Sequence, residues 1–287
     1  MNKEQGGDAR RVLFGDPREW EQFERRNPQF VSRIRTLVRT IKIAFKPLTV
    51  SEPVDKILFH LVRLCVEDFS EILLLCGNGY GIGAEKLLRG MYERAVTATY
   101  LHHHPEEADN FLAYHKIADH RLMNAVIATP SDPFSPEQKR KIEDDFRQVK
   151  PRFMIPDCKK CGTQRLNHTW TALDFVTMAK NSGGLGKLLV PAYYMGMREG
   201  HSTVGAIFSR LDADAAGTDE GLVFDGGSQP ERADTALLTA HKIVLIVLEL
   251  HKDHFQLKAL EEPLQTCISD LLAIWDKSGD KENSQRT

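Results

Sequence analysis

"LLLCGNGYGIGAEKLLRGMYERAVTATYL", residues 73–101, decides the fold. Gly77, Gly79 and Gly81, with Asn78 and Tyr80 between them, make a tight reversal between two long apolar patterns of helical period. Two such helices on so short a connection pack as an antiparallel hairpin. At 100° per residue, Leu87, Met91, Ala95 and Ala98 of the second helix form one apolar stripe with Ala84 and Leu88. Glu85, Arg89 and Glu93 form another column, beside Tyr92 and in line with Val96 and Tyr100. Apolar neighbours on both sides predict that this column is at least partly covered. On an open helix each such pair contributes only about 0.2–0.5 kcal/mol. Once covered, the desolvation of the charges can outweigh their attraction, so further partners are required. Two readings stay open: a structural ion pair that bridges helices, or a polar pocket with a function.

The same periodicity runs through most of the chain. It predicts helices at 17–26, 29–46, 54–76, 82–103, 106–128, 136–149, 171–181, 186–210 (broken), 231–255 and 259–276. Pro105 and Pro136 suit first-turn positions, and Ser135 is a cap before Pro136. Thr171 with Asp174 resembles a capping box, and Gly183-Gly184 ends that helix. Two stretches read as irregular, 150–169 and 212–230, although GLVFDG in the second has the composition of a short hairpin strand. The expected fold class is all-α, a multi-helix bundle built from antiparallel hairpins. Residues 1–50 read as an N-terminal helical arm, 51–280 as a single bundle domain and 281–287 as a disordered tail.

Charge is unevenly spread. Net charge is −2, yet residues 25–51 hold seven basic side chains and no acidic one. Within that segment Phe30, Ile34, Leu37, Ile41 and Phe45 face one way on a helix, while Arg35, Arg39, Lys42 and Lys46 line the adjoining side. Such a column attracts nucleic-acid phosphates or an anionic membrane surface in a salt-dependent way, unless an acidic surface of a partner or of the same chain neutralises it. Five cysteines, an odd number in a long chain, argue against a disulfide framework. The N-terminus has no apolar signal core, and the most apolar run, IVLIVLEL at 243–250, is too short to span a bilayer. The expectation is a cytoplasmic protein with no transmembrane segment; a homo-oligomer is compatible with all of this.

Residues 73–125, opening with the stretch above and continuing "HHHPEEADNFLAYHK", resemble the bacterial domain-of-unknown-function 5677 proteins. In those proteins a small-residue turn leads to a helix with an Arg-x-x-x-Glu pair, followed by a helix started by proline. The stretch "LNHTWTALDFVTMAKNSGGLGKLLVPAYYMGMREGHSTVGAIF" is similar to the family's second block, where a Trp opens a helix and a Tyr-rich helix leads to a His. The two blocks span roughly residues 60–210. The resemblance implies an all-α bundle, marks Arg89, Glu93, Tyr194 and His201 as matching positions, and implies no reaction.

His201 follows Gly196 and Gly200 in "YYMGMREGHSTVGA", where glycine serves close packing or a bend. A histidine there can act as acid, base or ligand near neutral pH, or simply cap a helix junction. Arg198 lies three positions earlier, on the same helical face. HEPN-type ribonucleases, also small helical bundles, place four to six residues between an Arg and a His; this chain has two, which departs from that motif. The chemistry stays open, with His201 as base or acid and Arg89 or Arg198 stabilising a phosphorane-like charge beside Glu93. Cys158-Lys-Lys-Cys161 followed by His168 supplies two or three zinc ligands where a structural site needs four. His251-x-x-His254 reads more as a polar helix face than as a metal pair, and His102–His104 as a helix end. The leading expectation is a helical-bundle protein that binds a polar ligand or partner through Arg89, Glu93, Tyr194, Arg198 and His201. The alternative is a metal-independent, HEPN-like ribonuclease of bacterial stress or phage defence, with His201, Arg89 and Glu93 catalytic.

Overall fold

The computed structural model describes residues 17–127, 129, 132–157, 161–211, 224 and 226–275. The described residues form eleven α-helices and one short hairpin, in the order α1 (Pro17–Arg26), α2 (Pro28–Ala44), α3 (Pro53–Gly77), α4 (Gly81–His103), α5 (Ala108–Val126), α6 (Pro136–Val149), β1 (Met154–Pro156), β2 (Gln164–Leu166), α7 (Phe175–Lys180), α8 (Met195–Gly200), α9 (Val204–Phe208), α10 (Pro230–His254) and α11 (Glu261–Trp275). The fold is all-α. Proline opens α1, α2, α3, α6 and α10, where its fixed φ suits the first turn and its missing N–H goes unneeded. Ser135 caps α6 in a reciprocal box with Gln138.

The centre is a trio of long helices, α3, α4 and α10, packed on one another. Val62, Cys65, Phe69 and Ile72 of α3 meet Ala84, Leu88, Met91, Ala95 and Ala98 of α4 and Leu237, Val244 and Leu248 of α10, all buried in one core. The run of alanines lets α4 lie in the groove between the other two. The reversal before α4 turns on Gly79, whose φ of 74° is left-handed and whose missing Cβ leaves room for the Ser228 hydroxyl. Cys65, Cys76 and Cys267 are buried thiols, and burial pushes each of them up from the ordinary cysteine range.

Residues 17–44, expected as part of an arm, lie on the bundle: Phe23, Phe30, Leu37 and Ala44 join the same core, and α2 packs along α11. A smaller cluster under α5 and α6 holds Ile117, Val149 and Phe153 with Tyr114, Phe146 and Leu166.

Two local expectations are corrected and a third is refined. Residues 150–169 are not wholly irregular, because a 3-10 turn at Lys150–Phe153 leads into the antiparallel β1–β2 pair, Met154 opposite Leu166. The helix expected from 171 starts at Phe175, since Asp174 itself is the cap and accepts from the Thr177 N–H. The broken stretch 186–210 resolves into a 3-10 turn at Gly183–Leu188, a π-helical turn at Leu189–Tyr194, then α8 and α9. Most of 212–230 lies outside the described residues; within GLVFDG, Phe224 makes an isolated antiparallel bridge to Leu211. Among the described residues no helix is long and apolar enough to cross a membrane.

Candidate functional site

The Glu85–Arg89–Glu93 column of α4 is covered by α8, and Gly196 makes that approach possible. A Cβ at position 196 would collide with the Glu85 carbonyl oxygen and stand 2.8 Å from Arg89 Cβ, so only glycine lets the backbones come this close. The π-helical turn before α8 sets the direction from which the segment arrives, and His201 ends α8 in extended conformation above α4.

Arg89 is the hub. Its Nε donates to Glu93 Oε1 at 2.9 Å, and its Nη1 lies 3.2 Å from His201 Nε2. A guanidinium can only donate, so His201 Nε2 accepts and the neutral ring carries its proton on Nδ1. The Tyr193 ring lies under the guanidinium, its centroid 5.1 Å from Arg89 Cζ, which adds a cation–π contact. The side chains of Arg89 and Glu93 keep 29% and 42% of their exposure, so the pair is neither sealed nor free in water. Coulomb attraction is damped by solvent at such a site and contributes at most about 1 kcal/mol. No partner among the described residues reaches Arg89 Nη2.

Behind this surface lies a buried ionic network. Arg232, from the first turn of α10, donates Nε to Glu85 Oε1 at 3.0 Å and Nη2 to Glu85 Oε2. The same guanidinium reaches Glu199 Oε1 at 2.9 Å. Arg198 donates Nε and Nη2 to that oxygen at 3.1 and 3.0 Å, and the Ser209 hydroxyl donates to Glu199 Oε2 at 3.0 Å. Burial alone would raise the Glu199 carboxyl, but the hydrogen bonds from Arg232, Arg198 and Ser209 win and hold it below the usual carboxylate range. Burial works against the charge of Arg232 as well, and Glu85 and Glu199 more than offset it. Two carboxylates and two guanidiniums balance here, which is how buried charge is tolerated.

The structure therefore brings Arg89, Glu93 and His201 together and turns Arg198 away, into the Glu199 network. Tyr194 is 39% exposed and touches the site only through the edge of the Tyr193 ring, 5.4 Å between centroids. Tyr193, Glu199 and Arg232 are the participants that sequence reasoning passed over. Glu199 carried a signal, an acid between Arg198 and the His201 position; Arg232 carried none beyond being a cation in the first turn of a long apolar helix.

The other candidates lie elsewhere. Arg35, Arg39, Lys42 and Lys46 are all exposed and make no ion pair among the described residues. Arg33, two residues before the first of these, is instead paired with Asp270 of α11. Cys158 lies outside the described residues; Cys161 Sγ is 3.1 Å from the Thr163 hydroxyl and His168 is exposed beyond β2. Among the described residues no three His, Cys, Asp or Glu side chains form a metal cluster.

No curated protein and no solved structure matches this chain. A family model described as a family of unknown function, DUF5677, matches residues 55–219, a span that runs from α3 past α9 and includes Arg89, Glu93, Glu199 and His201 but leaves Arg232 outside. That span is more than half of the chain, and the protein belongs to the DUF5677 family.

Proposed function

We propose that the chain binds an anionic group of a polar ligand or partner where Arg89 and His201 meet. The observation that carries this reading is the 3.2 Å contact between Arg89 Nη1 and His201 Nε2, made across 112 residues of sequence at a partly exposed surface. Tyr193 beneath and Glu93 beside the guanidinium limit its rotation, so its outward N–H groups are aimed before a ligand arrives. A phosphate or carboxylate accepts from Nη2, and His201 adds a second donor once it rotates or takes a proton. The buried Glu85–Arg232–Glu199 network keeps α8 seated while the surface pair exchanges partners.

A second reading, RNA cleavage, draws on the same contact. Once the Arg89 N–H turns from Nε2 to the substrate phosphate, His201 takes the proton of a ribose 2′-hydroxyl, the 2′-oxygen attacks phosphorus, Arg89 stabilises the added charge, and the departing 5′-oxygen takes a proton from solvent. Arg198, occupied by Glu199, takes no part in either reading.

One experiment serves both. Pyrophosphate and single-stranded RNA oligonucleotides are offered to the wild type, to Arg89→Met and to His201→Ala, with circular dichroism confirming the fold. Anion binding is expected to weaken about 10–100-fold in Arg89→Met, the value of a charge-assisted hydrogen bond. RNA cleavage by the wild type that disappears in His201→Ala selects the nuclease. A wild type that neither binds nor cleaves any probe at millimolar concentration overturns the assignment.

A further inference from the structure

Three helix ends converge at a place separate from the Arg89 surface. His102 lies in the last turn of α4, His254 is the last residue of α10, and Asp55 lies in the first turn of α3. His254 Nε2 is 3.0 Å from Asp55 Oδ1, and His254 Nδ1 is 3.1 Å from His102 Nδ1. His254 is well covered, its side chain 15% exposed, while His102 is half-buried. His251, the neighbour that spacing pairs with His254, is engaged elsewhere: its Nε2 donates to the Ala44 carbonyl at 3.1 Å.

We propose that His102 and His254 form, through their two Nδ1 atoms, a binding site for a late first-row divalent ion such as Zn2+, Ni2+ or Cu2+, with Asp55 as the carboxylate that orients His254. A carboxylate only accepts, so His254 Nε2 carries the proton and the lone pair of the neutral ring is at Nδ1, facing His102. A carboxylate behind a histidine in this way is the usual outer support of a metal-ligating imidazole. Two nitrogens bound at about 2.0–2.1 Å to one tetrahedral ion stand roughly 3.3 Å apart. The observed nitrogen separation is 3.1 Å, so the ion enters with a shift of a few tenths of an ångström and a turn of the His102 ring.

The surroundings favour a cation. Helices α4 and α10, 23 and 25 residues long, both present their carbonyl ends here, the negative ends of their dipoles. Without the ion, the His102 Nδ1–H donates to His254 Nδ1. With it, that proton passes by way of solvent to His102 Nε2, and no net proton is released. Among the described residues no third ligand completes a cluster, so water fills the remaining positions and the site is open. Affinity should follow the order Cu2+ above Zn2+, with Mg2+ excluded by the nitrogen donors. His254 lies outside the matched span 55–219, so the site belongs to this chain and not to the family segment alone.

The test is calorimetric titration of the full chain, stripped with chelator and carrying Cys158→Ser and Cys161→Ser so that the loop cysteines contribute nothing. One equivalent of Zn2+, and more tightly of Cu2+, is expected to bind. That equivalent disappears in His102→Ala and in His254→Ala, weakens about 10–100-fold in Asp55→Asn, and stays in His60→Ala, an exposed histidine elsewhere on α3. If His254→Ala fails to fold by circular dichroism, His102→Ala and Asp55→Asn decide. No binding by the parent at millimolar ion, or equal binding by the parent, His102→Ala and Asp55→Asn, overturns the proposal and leaves two imidazoles that share a proton.

Discussion

His241, on α10, is 2% exposed and boxed by Phe30 and Phe69, and it receives the Trp275 indole N–H on Nδ1 at 3.2 Å. Its Nε2 has no partner among the described residues. Burial, partly offset by Asp270, lowers this imidazole to about 4 from the ordinary 6.5. A depressed value means that the unfolded chain takes the proton first as the solution is acidified. Stability from this residue is therefore complete above about pH 6.5 and lost as pH falls toward 4, about 3 kcal/mol in all and about 2 kcal/mol between pH 7 and pH 5. Urea unfolding at those two pH values should show a drop larger by about 2 kcal/mol in the wild type than in His241→Phe, whose ring suits the same aromatic box. An equal drop in both proteins would place the acid sensitivity elsewhere.

Among the elements, the α4–α8 contact depends on one missing methyl group. Gly196→Ala pushes a Cβ against the Glu85 carbonyl and the Arg89 stem, and overpacking of that kind costs about 1–3 kcal/mol. The α8 end should lift, separating His201 from Arg89, so the His201 ring signals in an NMR spectrum should move with the loss of stability. A Cβ on Gly200, in the same short helix, would point into open space, and Gly200→Ala should be neutral or mildly stabilising. Equal effects from the two substitutions would show that close backbone approach is not what position 196 provides. Around this contact the glycines were legible in "YYMGMREGH" as signs of a bend or of packing; which carbonyl they pack on was not.

For the molecule as a whole, exposed Arg35, Arg39 and Lys42 lie on α2, with Lys46 just past its end, and the other face of that helix is locked into the core by Phe30, Leu37 and Ala44. Replacing Arg35, Arg39 and Lys42 together by Gln should leave unfolding free energy within about 0.5 kcal/mol, as for exposed sites that make no ion pair among the described residues. The same variant should lose any retention on RNA at low salt; equal retention would remove nucleic acid as the purpose of that face. The positions of the long helices, the hairpin about Gly79, the all-α class and the apolar stripe of α4 were determined by the sequence alone, because period, prolines and glycines act on neighbouring residues. The tertiary structure decided the rest: Arg89 with His201, Glu85 with Arg232 and His102 with His254, which are 112, 147 and 152 positions apart. Those partnerships depend on how a 3-10 turn, a π-helical turn and two short helices steer the chain back onto α4, and on where three long helices end against one another, geometry that no local pattern encodes.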